Sequence, residues 1–337
     1  MFAHRIVALT GPAAVGWTQV EEPAADGGVV IDVVAAGVSF ADLLQTKGAY
    51  QLEVPVPFTP GMDAAGVVRF ARPDLGLAAG QRVAVLLPYG CWQEVINAPP
   101  ERVLALPDDM SFEAGAATPL NYLTGLLALV RRGRAQPGET LLVHGGAGGV
   151  GTAAIQLGRA LGLQTIAVVS DEAKRQFAVQ CGADHAVLAS GWLDGVRELM
   201  GDRAVDLVVD PVGGDRMTDS LRSLAPEGRL LVLGFAVGEI PTVKVNRLLL
   251  GNTAVAGVAS REFFDQRPDA VAELWARLLE LRRTGALADP PVQLFPFADA
   301  RGALGAIAGR QATGKVVLTK RVEAPGHGEQ RPGRPTP

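Results

Sequence analysis

Three glycines with the spacing Gly-x-Gly-x-x-Gly, at Gly146, Gly148 and Gly151, are the residues whose types and spacing point most directly to chemistry. They follow an apolar run at 141–143, typical of a buried parallel strand, and precede residues 152–161, whose apolar spacing predicts a helix. In such a turn the first glycine permits the tight bend, the second lets the backbone approach a pyrophosphate, and the third lets the helix pack on the strand. Free N–H groups and the helix dipole stabilise the phosphates. We therefore predict that a dinucleotide contacts Gly146, Ala147, Gly148, Gly149, Val150 and Gly151.

The position that follows the second strand distinguishes NAD from NADP. NAD sites place a carboxylate about 20 residues beyond the glycines, where it binds the ribose 2′-hydroxyl. Here that position is Ser170, and Lys174 and Arg175 follow one helical turn later, where they can pair with a 2′-phosphate. Asp171 opposes this assignment, because its carboxylate would repel the phosphate. In the alternative interpretation, Ser170 caps the helix, Asp171 lies in its first turn, and the basic residues form a solvated face. We predict NADPH as the cofactor.

The composition is that of an ordinary globular protein. Of 337 residues, 48% are hydrophobic and 20% are charged, and the net charge of −4 argues against a nucleic-acid partner. No apolar run reaches the roughly 18 residues of a membrane span, and the start lacks the apolar core of a signal peptide, so we expect a cytoplasmic protein without a membrane partner. Two distant cysteines and four histidines do not easily build a zinc site.

The elements around the glycine-rich turn define two kinds of region. Short apolar segments separated by Gly and Pro predict a mostly β region up to about residue 110. Strands and helices alternate over 141–258, which is the pattern of a doubly wound parallel sheet. A helix over 270–283 and a strand over 315–318 follow, and this part is closer in character to the first region. Residues 323–337 are rich in Pro, Gly and charge, which predicts a disordered tail.

Several further motifs occur in the order found in one known family. They are Gly-Val-Ser-Phe-Ala-Asp-Leu-Leu at 37–44, Pro-Phe-Thr-Pro-Gly-Met-Asp-Ala-Ala-Gly at 57–66, Gly-Gln-Arg-Val-Ala at 80–84, Cys-Gly-Ala-Asp-His at 181–185, Asp-Pro-Val-Gly-Gly at 210–214 and Ala-Thr-Gly-Lys-Val-Val-Leu at 312–318. With the glycine-rich turn, they make the chain resemble the zinc-independent quinone oxidoreductase branch of the medium-chain dehydrogenase/reductase superfamily over nearly all of residues 1–320.

The resemblance implies an α/β fold in which a Rossmann domain, a doubly wound parallel sheet, is inserted in a GroES-like, mostly β domain. Substrate is expected in the cleft between the two. We expect the first segment of the GroES-like catalytic domain at 1–122 and the Rossmann NADP-binding domain at 123–262. A return segment to the catalytic domain is expected at 263–322, before the tail.

Zinc-dependent members of the superfamily hold their catalytic metal with two cysteines and a histidine. The matching positions here are Ser39, Met62 and Leu120, and these side chains do not make the N and S ligand set that zinc prefers. The four-cysteine structural zinc lobe is absent too. We therefore predict no metal and expect alcohol oxidation by Lewis-acid activation to be lost.

A cleft without a metal suits acceptors that are already activated for hydride addition. Quinones and α,β-unsaturated carbonyls fit, because the addition gives a delocalised phenolate or enolate that fixed donors can stabilise. The resemblance makes Ser39, Asp42, Tyr50 and Thr124 the candidate catalytic residues. Ser39 stands where many relatives have Asn. Asp42 is either a structural residue or a substrate ligand, and Tyr50 either covers the substrate or packs on a loop. Tyr122 is expected in the core.

Two other functions stay open. Enoyl reductases of the superfamily follow the fifth Rossmann strand with Gly-Lys-Thr-Asp, whose Lys is a proposed proton donor, whereas this chain has Gly234, Phe235 and Ala236. Phe235 is no proton donor, but a free-standing enoyl-thioester reductase is an alternative, and the backbone at 234–236 is still expected to contact the nicotinamide carboxamide. Some relatives bind NADPH as lens or RNA-binding proteins. Arg310 and Lys315 either reach the cofactor phosphates or are solvated.

The resemblance also indicates a homodimer. The strand predicted over 253–258 would end the Rossmann domain at the edge of its sheet. A long apolar edge invites pairing, and a two-fold related copy would cover it.

Overall fold

The computed structural model describes residues 1–201 and 203–321, so the predicted tail at 323–337 lies outside the described residues. The strands are β1 Phe2–Ile6, β2 Val15–Gln19, β3 Val29–Val38, β4 Asp63–Phe70, β5 Arg82–Leu86, β6 Val95–Ala98, β7 Val103–Ala105, β8 Thr140–His144, β9 Gln164–Val169, β10 His185–Leu188, β11 Val205–Asp210, β12 Leu224–Val232, β13 Ala254–Gly257, β14 Val292–Pro296 and β15 Lys315–Thr319. The α-helices are α1 Phe40–Thr46, α2 Phe112–Ala117, α3 Pro119–Leu126, α4 Gly149–Ala160, α5 Glu172–Gln180, α6 Trp192–Met200, α7 Met217–Ser223, α8 Asn246–Gly251, α9 Ser260–Gln266, α10 Asp269–Arg283 and α11 Ala300–Ala308.

Six parallel strands form the sheet that carries the glycine-rich turn, in the order β10-β9-β8-β11-β12-β13. The middle strands are apolar on both faces because helices cover both sides, and Leu141, Leu142 and Val143 are fully buried. The first strand of this sheet along the chain is β8. The next two, β9 and β10, lie on one side of it, and β11 then pairs with β8 on its other side. In sheets of this kind a ligand binds where the order reverses, outside the carboxyl ends of the strands.

A second sheet of seven strands has the order β14-β15-β3-β4-β5-β7, with β6 also paired to β3. Its strands are antiparallel except for the pair of β14 and β15. The C-terminal strand β15 pairs with β3 near the N-terminus, with Val316 opposite Val38. A separate apolar core lies against this sheet and includes Trp92, whose indole N–H donates to the carbonyl of Gly37 at 2.8 Å. The predicted combination of a doubly wound parallel sheet with a mostly β domain is confirmed.

Two local features shape the site. The helix α3 is followed directly by a π-helical turn, Leu127–Arg132. The strand β12 ends at Val232. Beyond it, the N–H of Ala236 donates to the carbonyl of Pro211 at 3.2 Å, so residues 234–236 form a loop against the end of β11.

Side chains of α9 and α10 contact residues of the seven-stranded sheet region and so connect the two sheets. The Arg102 guanidinium contacts the Asp265 carboxylate at 2.7 Å, and the Trp275 indole donates to the carbonyl of Ala105 at 3.0 Å. Because residues 102 and 105 belong to the seven-stranded region, these contacts bring α9 to the rim of that sheet and create one wall of a cleft. No helix in the described part of the chain is long and apolar enough to cross a membrane.

Candidate active site

The glycine-rich turn leaves an anion-binding helix end free. The helix α4 begins at Gly149, and its N-cap residue Gly148 carries no side chain that could occupy the exposed amides. Among the described residues, nothing accepts a hydrogen bond from the N–H of Gly149, Val150 or Gly151, whereas Thr152 already donates to Gly148 at 2.8 Å. The first turn contains no acidic residue. These amides and the helix dipole therefore fit a phosphate.

The glycines of the turn differ in what a side chain would meet. A Cβ on Gly146 would lie 2.8 Å from Cβ of Ala167, and one on Gly151 would lie 2.1 Å from the carbonyl oxygen of Gly145. A Cβ on Gly148 would meet only that same oxygen, at 3.4 Å. The first and third glycines are thus required by packing inside the turn, whereas the second keeps its outer surface open to a ligand.

A C-terminal segment of the chain closes over the turn. The N–H of Gly314 donates to the carbonyl of Ala147 at 2.9 Å, and Gly314 forms a β-bridge with Gly148. The next residue, Lys315, is buried, and its ammonium contacts both carboxylate oxygens of Asp63, at 3.0 and 2.9 Å. Of the two alternatives for Lys315, solvation is wrong, because the side chain is 3% exposed and its charge is neutralised by the buried carboxylate of Asp63.

The residues that follow β9 converge as a small polar cluster. The Lys174 ammonium donates to Oγ of Ser170 at 3.0 Å and to the backbone carbonyl of Arg310 at 2.7 Å. The helix α5 begins one residue after Asp171, whose Oδ1 accepts from the N–H of Lys174 at 2.9 Å. Asp171 is therefore the N-cap, and the interpretation in which Ser170 caps the helix is wrong. Ser170 donates instead to Oδ2 of Asp171 at 2.7 Å.

The two basic residues of this helix have different environments. The side chain of Lys174 is 18% exposed and reaches the polar cluster, whereas that of Arg175 is 48% exposed and pairs with Glu172 at 2.8 Å. The structure thus brings together Ser170, Lys174 and Arg310 and leaves Arg175 outside the group.

The cleft between the sheets has an empty volume of about 370 Å³, open solvent at its mouth included. It is lined by Tyr50, Met62, Leu86, Leu87, Pro88, Arg102, Leu120, Ser260, Arg261, Phe264 and Asp265. Two of these, Met62 and Leu120, are the residues that the resemblance aligns with zinc ligands, and they present apolar side chains. Within residues 1–201 and 203–321, no group of three or more His, Cys, Asp or Glu could hold a metal. The donor set of the cleft does not fit a metal ion.

One candidate side chain, Tyr50, lies in this cleft. Burial raises the pKa of its hydroxyl, and the nearby Arg261 guanidinium acts in the opposite direction. The phenol therefore stays protonated at neutral pH and is able to donate a hydrogen bond into the cleft.

Two other candidates, Ser39 and Asp42, form a capping box at the start of α1. Oδ2 of Asp42 accepts from the N–H and Oγ of Ser39, at 2.7 and 2.6 Å, and Oδ1 accepts from the N–H of Gly61 at 3.1 Å. Burial raises the pKa of Asp42 to about 6. These bonds fix the segment before Met62, and Asp42 itself is fully buried. Direct catalytic roles for this pair stay predictions.

The remaining candidates are not among the residues that line the cleft. Thr124 is buried in α3, one turn after Leu120 and on the same helix face. Phe235 is partly exposed in the loop after β12, beside Gly213. Tyr122 is buried as expected and bonds to Gln156.

The sequence-based candidates name none of the four residues that form one wall of the cleft, Arg102, Arg261, Phe264 and Asp265. The segment 260–265 directly follows β13 and so lies at the same carboxyl edge of the sheet as the glycine-rich turn. That edge is where ligands bind in such folds, and this was the available signal.

Comparisons with known proteins agree with this architecture. Residues 25–108 match the family model described as the alcohol dehydrogenase GroES-like domain, and residues 149–279 match the model described as zinc-binding dehydrogenase. The chain is 35% identical over 295 residues to quinone oxidoreductase-like protein 2 of Rattus norvegicus, covering 86% of this chain and 84% of the relative.

Two solved structures are similar over most of their length. A probable oxidoreductase from Mycobacterium abscessus has a TM-score of 0.87 and 42% identity, covering 95% of this chain and 98% of that one. The quinone oxidoreductase from Thermus thermophilus, also solved in complex with NADPH, has a TM-score of 0.80 and 36% identity, covering 95% and 100%. The predicted resemblance is confirmed, and the chain belongs to the quinone oxidoreductase branch of the medium-chain dehydrogenase/reductase superfamily.

Proposed function

We propose that this protein is an NADPH-dependent, metal-independent reductase that transfers hydride to a quinone or an α,β-unsaturated carbonyl. The observation that carries the proposal is the lining of the cleft, where Met62 and Leu120 supply apolar surface at the positions of metal ligands. Such a surface suits a flat, apolar ring and provides no Lewis acid. One wall of the cleft, at residues 260–265, follows β13 and so lies at the same carboxyl edge of the parallel sheet as the start of α4.

The residues of the turn and of the polar cluster fit NADPH from one end to the other. The amides of 149–151 would hold the pyrophosphate. Ser170 and Lys174, with the loop at Arg310, would hold the 2′-phosphate. The charge of the neighbouring Asp171 carboxylate is paired with the Lys174 ammonium at 3.6 Å. The loop at 234–236 would flank the nicotinamide. The related structure from Thermus thermophilus contains NADPH, which supports this choice.

When bound, NADPH supplies a hydride to an electrophilic carbon of the acceptor. The protein's part is to orient the acceptor and to stabilise the negative charge that develops on its oxygen. Tyr50 donates a hydrogen bond to that oxygen, and the neighbouring Arg261 adds positive charge to the same wall. The final proton comes from water at the cleft mouth or from a nearby hydroxyl, because Phe235 replaces the lysine of enoyl reductases.

The test compares three hydride acceptors and one hydride donor, with native and with chelator-treated protein. NADPH oxidation is followed with 1,4-benzoquinone, with an enone and with an enoyl thioester, and NADP⁺ reduction is followed with a primary alcohol. We expect oxidation with the first two and no effect of the chelator. Activity confined to the alcohol, or lost with the chelator, contradicts the proposal. A change in NADPH fluorescence without turnover identifies a non-enzymatic binder, and turnover confined to an enoyl thioester identifies the alternative reductase.

We further propose a homodimer formed through the edge strand β13. Beyond its pairing with β12, β13 has no strand partner in the described part of the chain. Four apolar side chains near it are strongly exposed, Ile240 at 73%, Val245 at 75%, Leu249 at 77% and Leu250 at 78%. A second copy related by a two-fold axis would pair the strand edges and bury these residues together.

Light scattering at micromolar concentration tests the dimer. We expect twice the monomer mass for the native chain and a monomer for Leu250→Asp, with unchanged NADPH affinity. Leu188→Asp, at an exposed leucine on the opposite edge strand β10, is the matched control and is expected to stay dimeric. A native chain that is strictly monomeric contradicts the proposal.

A further inference from the structure

A buried ion pair near the glycine-rich turn has no role in the site as described. The ammonium of Lys315 lies 3.0 and 2.9 Å from the two carboxylate oxygens of Asp63, and both side chains are buried. Moving two charges out of water is costly, and apolar residues of similar volume often stabilise a protein as well as such a pair does. Stability alone therefore does not explain why charged residues occupy these two positions.

The carboxylate of the pair holds the apolar side of the cleft. Asp63 directly follows Met62 in the chain, and its Oδ2 accepts from the N–H of Leu120 at 3.3 Å. Met62 and Leu120 both line the cleft, although they belong to different segments of the chain. One carboxylate therefore fixes the relative position of the two side chains whose apolar surface carries the proposed function.

The ammonium of the pair belongs to the segment that closes over the glycine-rich turn. Lys315 directly follows Gly314, which forms a β-bridge with Gly148 and donates its N–H to the carbonyl of Ala147 at 2.9 Å. The N–H of Lys315 itself donates to the carbonyl of Pro291 at 3.0 Å. The position of Gly314 against the turn is thus tied to the position of Lys315.

A contact between α3 and the turn completes a ring of contacts. Asn121 lies in the first turn of α3 and packs against the start of α4, since a Cβ on Gly149 would be 2.4 Å from its Nδ2. The ring runs from Asp63 through the start of α3 to the start of α4, and it returns through the C-terminal segment to Lys315. Because the ion pair closes this ring, it connects the apolar surface of the cleft with the amides that would bind the phosphates.

The surroundings of the pair leave no room for another arrangement. A Cβ on Gly37 would lie 2.0 Å from Oδ1 of Asp63 and 2.5 Å from Cε of Lys315. The carbonyl of this glycine accepts from the indole N–H of Trp92 at 2.8 Å, which holds the strand β3 beside the pair. The two charged side chains are therefore packed in one geometry.

We propose that Asp63 and Lys315 are positioning residues that set the distance between the acceptor in the cleft and the nicotinamide of the cofactor. Neither lines the cleft, so they act through Met62 and Leu120 on one side and through Gly314 on the other. Hydride transfer needs the reacting atoms about 3–3.5 Å apart, and a displacement of about 1 Å can slow a reaction about 100-fold. The inference rests on the proposed function for the hydride step, whereas the ring of contacts is independent of it.

The first experiment measures hydrogen exchange of the full-length protein without any ligand. Lys315→Met removes the ammonium, keeps most of the side-chain length and leaves a buried charge without its partner. We expect the amides of Leu120 and Gly314 to exchange at least about tenfold faster relative to the amides of β8, which report global unfolding. A merely structural pair would change all amides in proportion.

The second experiment measures hydride transfer in a single turnover, with NADPH bound first and 1,4-benzoquinone then added. The rate constant of such a reaction does not depend on how much of the protein is folded. In Lys315→Met it should fall about tenfold at saturating quinone, and the half-saturating quinone concentration should stay within about twofold of the native value.

Further variants disturb the pair in other ways. Asp63→Asn removes the charge and keeps the shape, and it is measured in the same way should Lys315→Met fail to fold. Gly37→Ala leaves both charged groups present but displaces them, and it should have the same effects. Thr319→Val is the matched control, because Thr319 is also buried in β15 and donates to the Glu113 carboxylate at 2.8 Å. It should lower stability without changing either measurement.

Native relative exchange at Leu120 and Gly314 in the folded variants, a native rate of hydride transfer, or equal changes in Thr319→Val would each overturn the inference. Failure of the proposed function is seen in the native protein instead. If that protein binds NADPH but reduces neither a quinone nor an enone, the proposed function and the role in hydride transfer are both refuted, and the exchange measurement still decides whether the pair connects the turn with the cleft.

Discussion

The two ends of the candidate active site, the glycine-rich turn and the cleft, are built from different parts of the polypeptide. At the phosphate end, backbone amides of 149–151 and close-packed glycines form the surface, within one short segment of chain. At the substrate end, side chains from distant segments meet, as when Arg102 contacts Asp265 beside Tyr50. A surface of backbone has few positions that can change, whereas a surface of side chains can be altered one residue at a time. Acceptor specificity can therefore vary in this fold while the cofactor end stays fixed.

The largest effect on NADPH binding is expected for a substitution inside the glycine-rich turn. In Gly151→Ala the new Cβ would lie 2.1 Å from the carbonyl oxygen of Gly145, which belongs to backbone and cannot move aside. Overpacking of this kind costs about 1–3 kcal/mol, and we expect NADPH affinity to fall more than about 100-fold because the amides are displaced. Urea unfolding and fluorescence titration measure the two effects.

Two alanine variants serve as controls for that prediction. Gly148→Ala has its nearest contact at 3.4 Å and should keep its stability while binding NADPH more weakly. Gly305→Ala in α11 meets nothing within 4 Å and should bind NADPH normally, with stability unchanged or about 0.5–1 kcal/mol higher. Native NADPH affinity in Gly151→Ala would show that the turn does not carry the phosphates.

A smaller effect is expected from the carboxylate that shapes the substrate end. Burial raises the pKa of Asp42 from 3.8 to about 6, so the folded state holds its proton more tightly than the unfolded state. Its contribution to stability is therefore complete below about pH 4 and is lost as the pH rises through about 6. Relative to Asp42→Asn, the native protein should lose about 2 kcal/mol of unfolding free energy between about pH 4 and pH 7. Urea unfolding of both proteins across this range tests the sign, and a difference that is flat or rises with pH contradicts it.

The third prediction concerns the preference for NADPH over NADH, which the polar cluster of Ser170, Lys174 and Arg310 would set. Lys174→Ala removes the ammonium that joins Ser170 to Arg310, and NADPH should bind roughly tenfold more weakly, or about 1–2 kcal/mol. NADH affinity should not change, since it lacks the 2′-phosphate. Arg175→Ala is the matched control, because Arg175 pairs with Glu172 instead, and should change neither affinity. Equal weakening of both cofactors would show that the cluster does not recognise the phosphate.

The smallest effect, on kcat/KM for a quinone, is expected when the single hydrogen-bond donor of Tyr50 is removed from the wall of the cleft. Tyr50→Phe keeps the ring and removes the hydroxyl, so kcat/KM for a quinone should fall about threefold, as for loss of one neutral hydrogen bond. NADPH affinity should be native. Tyr89→Phe, at an exposed tyrosine packed against Phe58, should have no effect on either quantity. A tenfold loss of NADPH affinity in Tyr50→Phe would place this residue at the cofactor instead.

The same contrast explains what could be predicted from the sequence. The turn at 146–151 and the strands around it are local patterns, so the fold class and the place of the turn between β8 and α4 could be predicted from the sequence. Lys315 could not be placed, because its partner Asp63 is 252 residues away and only the pairing of β15 with the N-terminal sheet brings them together. Arg261 was missed for the same reason, since its place opposite Tyr50 depends on how α9 packs against the other sheet. Sequence patterns describe neighbours along the chain, whereas this wall is made by tertiary packing.

The pairing of β15 with β3 also orders events during synthesis. β3 leaves the ribosome early, but its partner over residues 316–319 is among the last parts of the described chain to be made. At roughly 5–20 residues per second, the strand edge at 35–38 waits on the order of tens of seconds, and all six strands of the other sheet are made before its partner. An apolar edge left open for that time is a template for aggregation. A nascent chain that stops before residue 315 would thus carry all six strands of the Rossmann sheet but leave this edge of β3 unpaired, and this edge would be the site at which it aggregates.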